Sequence, residues 1–177
     1  MNRKSFYLSL LLLAAVAVLA GLLTSPAAAD GNPSVSGHGN TISLGKLRTF
    51  SFTAVQHADG TVTGETETFN RGYPIRVHSK IDCLKFDEGN KAIASGPITQ
   101  SSDPEVAAVG LIAVFGIEDN GEGENAPPDR ITSVEVYAPE EGIDCNDLTF
   151  VGDELQKSGE VVNVLNPILA GNIQVKP

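Results

Sequence analysis

An all-β fold, an antiparallel barrel or sandwich of about eight short strands, is what the sequence predicts. Three observations predict it. Apolar residues recur with the period of a strand rather than that of a helix, as where Phe50, Phe52 and Ala54 alternate with Ser51 and Thr53. Turn residues return at short intervals, in His57-Ala58-Asp59-Gly60, Arg71-Gly72-Tyr73-Pro74 and Glu88-Gly89-Asn90. No segment carries a long helical period. Nearly every connection is short enough for a hairpin, so the expected topology is a meander in a single domain.

Residues 1–29 read as a secretory signal and not as part of that domain. Arg3 and Lys4 form a basic start, Leu8 to Leu23 is apolar apart from Ser9 and Gly21, and Ala27-Ala28-Ala29 supplies small residues for cleavage near Ala29. A retained membrane helix is the competing reading. Gly21, Pro26 and the alanines favour cleavage. With no Cys near that site and no apolar tail in the terminal GNIQVKP, the expected product is secreted, extracellular or periplasmic, without a stable membrane anchor.

Residues 30–48 are rich in Gly, Ser and Asn and are expected to form a flexible segment or an edge strand, with the all-β domain covering 49–177. After the strand around Phe52, Asp59-Gly60 turns the chain and Thr61 to Thr68 returns, with Glu65 and Glu67 on its outer face. Ile75, Val77, Ser79 and Ile81 then point one way, and Arg76, His78 and Lys80 the other. Leu84 and Phe86 are apolar on the opposite register, which predicts a bulge near Asp82. Lys91 to Thr99 returns from the next hairpin. Ser101 to Glu105 has a helix-start pattern, Asp103 as N-cap and Pro104 after it, for a turn or two before Gly110. Leu111 to Ile117 is nearly continuous apolar sequence, a central strand buried on both faces, and Ile131 to Tyr137 pairs back onto it. Pro139 to Phe150 reads as an irregular connection, Gly152 to Gly159 as one helical turn, and Val161 to Leu165 and Gly171 to Val175 as the last strands.

Charge narrows the partners. Cleavage after Ala29 removes Arg3 and Lys4 and no acid, taking the net charge from −10 to −10 − 2 = −12. Nucleic acid and anionic membrane are thereby disfavoured, because binding them by counterion release needs a basic footprint. An unknown small molecule, a cation or an extracellular surface remain open as partners. Trp is absent, so a broad aromatic platform for sugars is not expected. Cys83 and Cys145 form an even pair in an exported chain and are expected to be disulfide-bonded. The closed loop of 145 − 83 = 62 residues is worth roughly 4 kcal/mol in the chain-entropy treatment.

The acidic stretch Glu118-Asp119-Asn120-Gly121-Glu122-Gly123-Glu124-Asn125 is the sharpest candidate for chemistry. Carboxylates and side-chain amides among glycines suit a hard cation, calcium in particular. Glu118, Asn120, Glu122 and Asp129 fall near the ligand positions of an EF-hand loop in outline. Asp is expected first and Glu last in such a loop, and Pro127-Pro128 forbids its exiting helix. A solvated hairpin loop whose acids keep a strand edge from pairing is the alternative. Arg130 beside Asp129 offers an exposed ion pair of little weight. His38, His57 and His78 have no ligand spacing, and His78 reads as a solvated residue. Catalysis has no anchor: there is no G-x-S-x-G and no cysteine beside a base. No cofactor is required by any of these readings.

The phrases LRTFSFTAVQHADGTVTGE, RVHSKIDCLKF, KAIASGPIT and GIEDNGEGENAPPDR, with SGHGN and GNIQV, together cover most of the mature chain. In these phrases the sequence resembles a group of secreted bacterial proteins of the post-COAP-1 domain type. The resemblance implies an exported β-rich domain with a Cys pair, and brings no activity or catalytic residue with it. The expectation is a non-catalytic binding or interaction module with the acidic loop as contact or cation site. Two other classes stay open: a small barrel enzyme, cyclase- or isomerase-like, holding an apolar ligand in its lumen, and a structural envelope protein. A lumenal pocket lined by Phe and Ile with a few convergent polar groups is what would separate the barrel reading from a filled core.

Overall fold

The computed structural model describes residues 31–87, 89–123 and 125–177. The signal-peptide reading, and Glu88 and Glu124 in the turns assigned to them, lie outside these residues. Alternating apolar sequence becomes an antiparallel barrel of eight strands. Strands β1 (Ser34–Ser43), β2 (Lys46–Gln56), β3 (Val62–Asn70) and β4 (Ile75–Ile81) pair in chain order. β5 (Cys83–Asp87) continues β4, and both pair with β6 (Lys91–Ser101). β6 pairs with β7 (Ile112–Glu118), β7 with β8 (Arg130–Ile131), β8 with the last strand β13 (Asn166–Lys176), and β13 closes on β1. Each barrel strand therefore lies beside the next one in the chain, which is the expected meander. The departure is an excursion between β8 and β13: β9 (Glu135–Tyr137) on β7, two 3-10 turns at Pro139–Glu141 and Cys145–Asp147, and a three-stranded sheet of β10 (Leu148–Val151), β11 (Glu154–Lys157) and β12 (Glu160–Val164).

The phase change at Asp82 is real. Asp82 sits between β4 and β5, and its N–H reaches the Ser95 carbonyl at 3.1 Å. Gly96 lets the backbones touch there, since a Cβ at Gly96 would fall on the Lys80 carbonyl oxygen. Three expectations are corrected, and a fourth, the turn or two after Ser101, is met at its lower bound. Residues 34–43 are neither flexible nor an edge, because β1 is paired along both sides, with β2 and β13. Ser101–Glu105 opens only one turn, in which Ala107 N–H bonds the Asp103 carbonyl at 3.0 Å. The Gly152–Gly159 stretch is strand β11 with left-handed glycines at both ends, and Leu155, its single apolar residue, is fully buried. The Ile131–Tyr137 run breaks into β8 and β9 because Thr132 turns inward, its hydroxyl accepting from Gly116 N–H at 2.9 Å.

Two apolar layers follow from the β7 sequence, buried on both faces as expected. Phe115 and Ile117 point into the barrel with Val35, Phe52, Ile81 and Ile173. Val114 faces outward onto Leu148, Leu155 and Cys145 beneath the small sheet. Cys83 and Cys145 are disulfide-bonded, with Cα atoms 5.8 Å apart, so the bridge ties the excursion to the β4–β5 bend. Among the described residues no helix is long and apolar enough to cross a membrane.

Candidate functional site

The lumen is not uniform along its axis. On β1 the inward positions run Val35, Gly37, Gly39, Thr41, Ser43, and on β3 they run Gly64, Thr66, Thr68, Asn70. At the end where β1 begins, glycines make room for rings. Gly37 lies opposite Phe52 and Gly39 opposite Phe50, and a Cβ on Gly37 would overlap the Phe52 ring at 2.6 Å. Phe52 then packs on Phe115 with ring centroids 5.4 Å apart. Toward the other end the inward residues of β1 and β3 become polar, and the packing opens into a cavity of about 170 Å³. Phe50, Phe115 and Ile131 form its apolar floor, Thr66 and Thr68 one wall, and Val77 and Val106 lie nearer the mouth.

Arg48 also lines this cavity. It lies between Thr41 and Asn70 in the ladders and shares the inward parity of Phe50 and Phe52. Its Nε is buried and has no hydrogen-bond partner among the described residues. Burial pulls the guanidinium below its ordinary value, and the Glu135 carboxylate acts in the opposite direction. Glu135 is itself raised, first by burial, against which Arg48 and the Asn163 hydrogen bond work. The Asn163 amide donates to Glu135 at 2.6 Å. Other lumenal hydroxyls are committed to the frame: Thr41 donates to the Pro167 carbonyl at 2.9 Å, and Ser43 bonds Ser133. Sequence reasoning passed over Arg48. The signal was its position two residues before Phe50, a cation on the apolar face of a strand.

The acidic loop lies at the opposite end of the barrel and does a different job. β13 and β8 share only two residue pairs, which leaves the rest of that β13 edge without a strand. Loop groups take its place. The Asp129 carbonyl accepts from Ile168 N–H at 2.9 Å, the Asp129 carboxylate from Ile173 N–H at 2.8 Å, and the Asp119 carboxylate from Val175 N–H at 3.0 Å. Asp129 also accepts from Asn120 N–H at 2.9 Å, and Glu122 from the Asn172 amide at 2.9 Å. Glu118 faces elsewhere. It stands in a cross-strand row between Lys91 and Arg130, ion-paired to Arg130 and 3.7 Å from Lys91. Arg130 continues to Asp153 at 2.7 Å and not to Asp129. Burial pushes the Glu118 carboxyl up, but the Arg130 and Asn120 hydrogen bonds and the neighbouring charges hold it below its ordinary value. Of the four side chains proposed as calcium ligands, Asn120 donates to Glu118 at 3.2 Å, while Glu122 and Asp129 turn to Asn172 and to the Ile173 N–H of β13.

Elsewhere, His57 bonds the Thr63 hydroxyl at 2.7 Å, His78 lies 3.2 Å from Glu67, and His38 is exposed on β1. Among the described residues the one group of three potential metal ligands within 4.8 Å is Cys83, Asp144 and Cys145. Two of these are the disulfide, which leaves no thiolate to coordinate. A wider depression of about 790 Å³ runs over the outer face of β2, β3 and β4 past Ser51, Glu67 and Lys80. Its lining side chains are mostly polar, whereas the lumenal cavity combines rings with a partly buried cation, the usual makeup of a small-molecule site. Comparison with protein-family models, with curated proteins and with solved structures finds no match for this chain.

Proposed function

We propose that the protein is an exported, non-catalytic binding module that takes a small, largely apolar molecule into the end of its barrel. One observation carries this reading: the cavity beside Phe50 and Phe115, left where the threonines of β3 stand opposite the rings of β2. A barrel built only for stability would fill that space with Leu or Ile, because unfilled volume in a core costs about 24 cal/mol per Å³. Thr66 and Thr68 sit where such residues would stand. The acidic loop enters the reading as the closure of the opposite end. The signal sequence and the disulfide support export.

The test uses 2-naphthylmethanol, a neutral fluorescent probe, against a protein without Trp and hence with little competing emission. Saturable binding to the oxidised protein, lost in Thr68→Phe while the unfolding midpoint holds or rises, is the expected result. Probe at a hundred times its dissociation constant is expected to add about 2.7 kcal/mol to stability. A wild type that takes up no probe, or a Thr68→Phe variant that binds it equally well, would remove the cavity from consideration.

A further inference from the structure

We infer that the natural occupant of the cavity is a carboxylate, seated on the Arg48 guanidinium with its apolar body against Phe50, Phe115 and Ile131; this rests on the cavity being a binding site. A guanidinium has five N–H donors, no acceptor, and stays charged in a protein. Buried without a partner, its Nε–H forfeits the hydrogen bond that water would give it. Nε–H and a terminal N–H form one edge of a planar fork whose spacing matches the two oxygens of a carboxylate.

The protein's own anions do not fill this position. Glu135 supplies the nearby negative charge that opposes the shift at Arg48, yet among the described residues no ion pair within 4.0 Å joins them. Its carboxylate is engaged by Asn163. Thr41 and Asn70, the ladder neighbours of Arg48, are uncharged. A partly buried cation lining the cavity, with an unpaired donor and an apolar floor beyond it, selects a molecule with the complementary layout: one carboxylate and a compact apolar body. The cavity's 170 Å³ limits that body to roughly the bulk of a naphthalene ring or a medium acyl chain.

The experiment compares 2-naphthoate with 2-naphthylmethanol, which share the ring and differ in the head group, on wild type, Arg48→Met and Arg48→Lys. Wild type is expected to bind the acid about tenfold or more tightly than the alcohol, the difference one charge-assisted hydrogen bond makes. In Arg48→Met that preference is expected to fall below about twofold. Arg48→Lys, which keeps a charge but lacks the fork, is expected to lie between and guards against a Met variant that fails to fold. Equal affinity for acid and alcohol in wild type would overturn the carboxylate while leaving the cavity as a site. Binding of neither probe would overturn both.

Discussion

Asp129 and Glu122 carry the same charge seven residues apart in one loop, yet their surroundings give them unequal weight. Asp129 is buried, with both carboxylate oxygens accepting backbone N–H groups, one of them from the fully buried Ile173. Removing it strands those donors, at about 1–3 kcal/mol for a buried unsatisfied group. Asp129→Ala is therefore expected to lower stability by about 2–3 kcal/mol in denaturant unfolding, and Glu122→Ala by less than about 0.5 kcal/mol. A calcium loop would make both substitutions matter in the same way, through a midpoint shift that appears only with the metal; millimolar calcium is expected to leave the midpoint where EDTA leaves it. Glu135 gives a second residue-scale prediction. Its folded value is raised, chiefly by burial, so the stability it contributes is full below the unfolded value of about 4.3 and is lost as pH rises through the folded value. Glu118 runs the other way: its folded value is lowered, so its contribution is present above the unfolded value and lost as pH falls through the folded one. Glu135→Gln is accordingly expected to flatten the decline in stability above about pH 4.3 and leave the acid limb, which Glu118 shapes, in place. Unfolding midpoints of the variant that fall as steeply as those of wild type over that range would contradict it.

Among the elements, the β4–β5 bend shows what a sequence discloses and what it hides. A strict two-residue pleat makes any slip of register visible, so the switch from Ile81 to Leu84 on the buried side located the bulge at Asp82 before any coordinates. The partner that makes the bend possible, Gly96, is fourteen residues on in the chain and was not visible, because close backbone approach is a property of two strands and not of one. Gly96→Ala is expected to cost about 2 kcal/mol or more, since the Lys80 carbonyl it meets is backbone and has nowhere to yield; Gly89→Ala, at a left-handed turn in open space, is expected to cost about 1 kcal/mol. Chevron or equilibrium unfolding of the pair decides the order. The same logic explains the misreadings. β11 has one apolar residue, too few to set a period, and becomes a strand because β10 and β12 flank it. The acids of the loop were legible as a cluster, but their acceptance of β13 N–H groups depends on which strand ends beside them, and that is long-range information. Arg48 was legible and missed: its parity with Phe50 marks it as inward-facing from the sequence alone.

At the scale of the whole molecule, two structures of different robustness share one chain. The barrel is closed by ladders along its circumference, and of its two shortest, β7–β8 and β8–β13, the second is reinforced by Asp119 and Asp129. The excursion β9–β12 contacts the barrel through the β9 ladder on β7, through one outer layer where Ile93 and Val114 meet Leu148 and Leu155, and through the disulfide that anchors Cys145 at the β5 end of the bend. A few polar ties add to this: Lys85 to the Leu148 carbonyl at 2.5 Å, Lys91 to the Gly152 carbonyl at 2.6 Å and Arg130 to Asp153 at 2.7 Å. The cavity is walled by barrel strands and the loop after β6, and among its lining residues only Thr132, Ser133, Val134 and Val136 come from the start of the excursion. Stability and binding should therefore separate when the bridge is cut. The double variant Cys83→Ser with Cys145→Ser is expected to lose about 2–5 kcal/mol of stability. Amide exchange is expected to accelerate first in β10–β12, while β1, β2 and β13 keep their protection and naphthoate affinity changes less than about threefold. Loss of protection in β1 and β2 at the same rate as in β10–β12 would mean that barrel and excursion unfold as one unit, and that the disulfide holds the binding site as well as the layer over it.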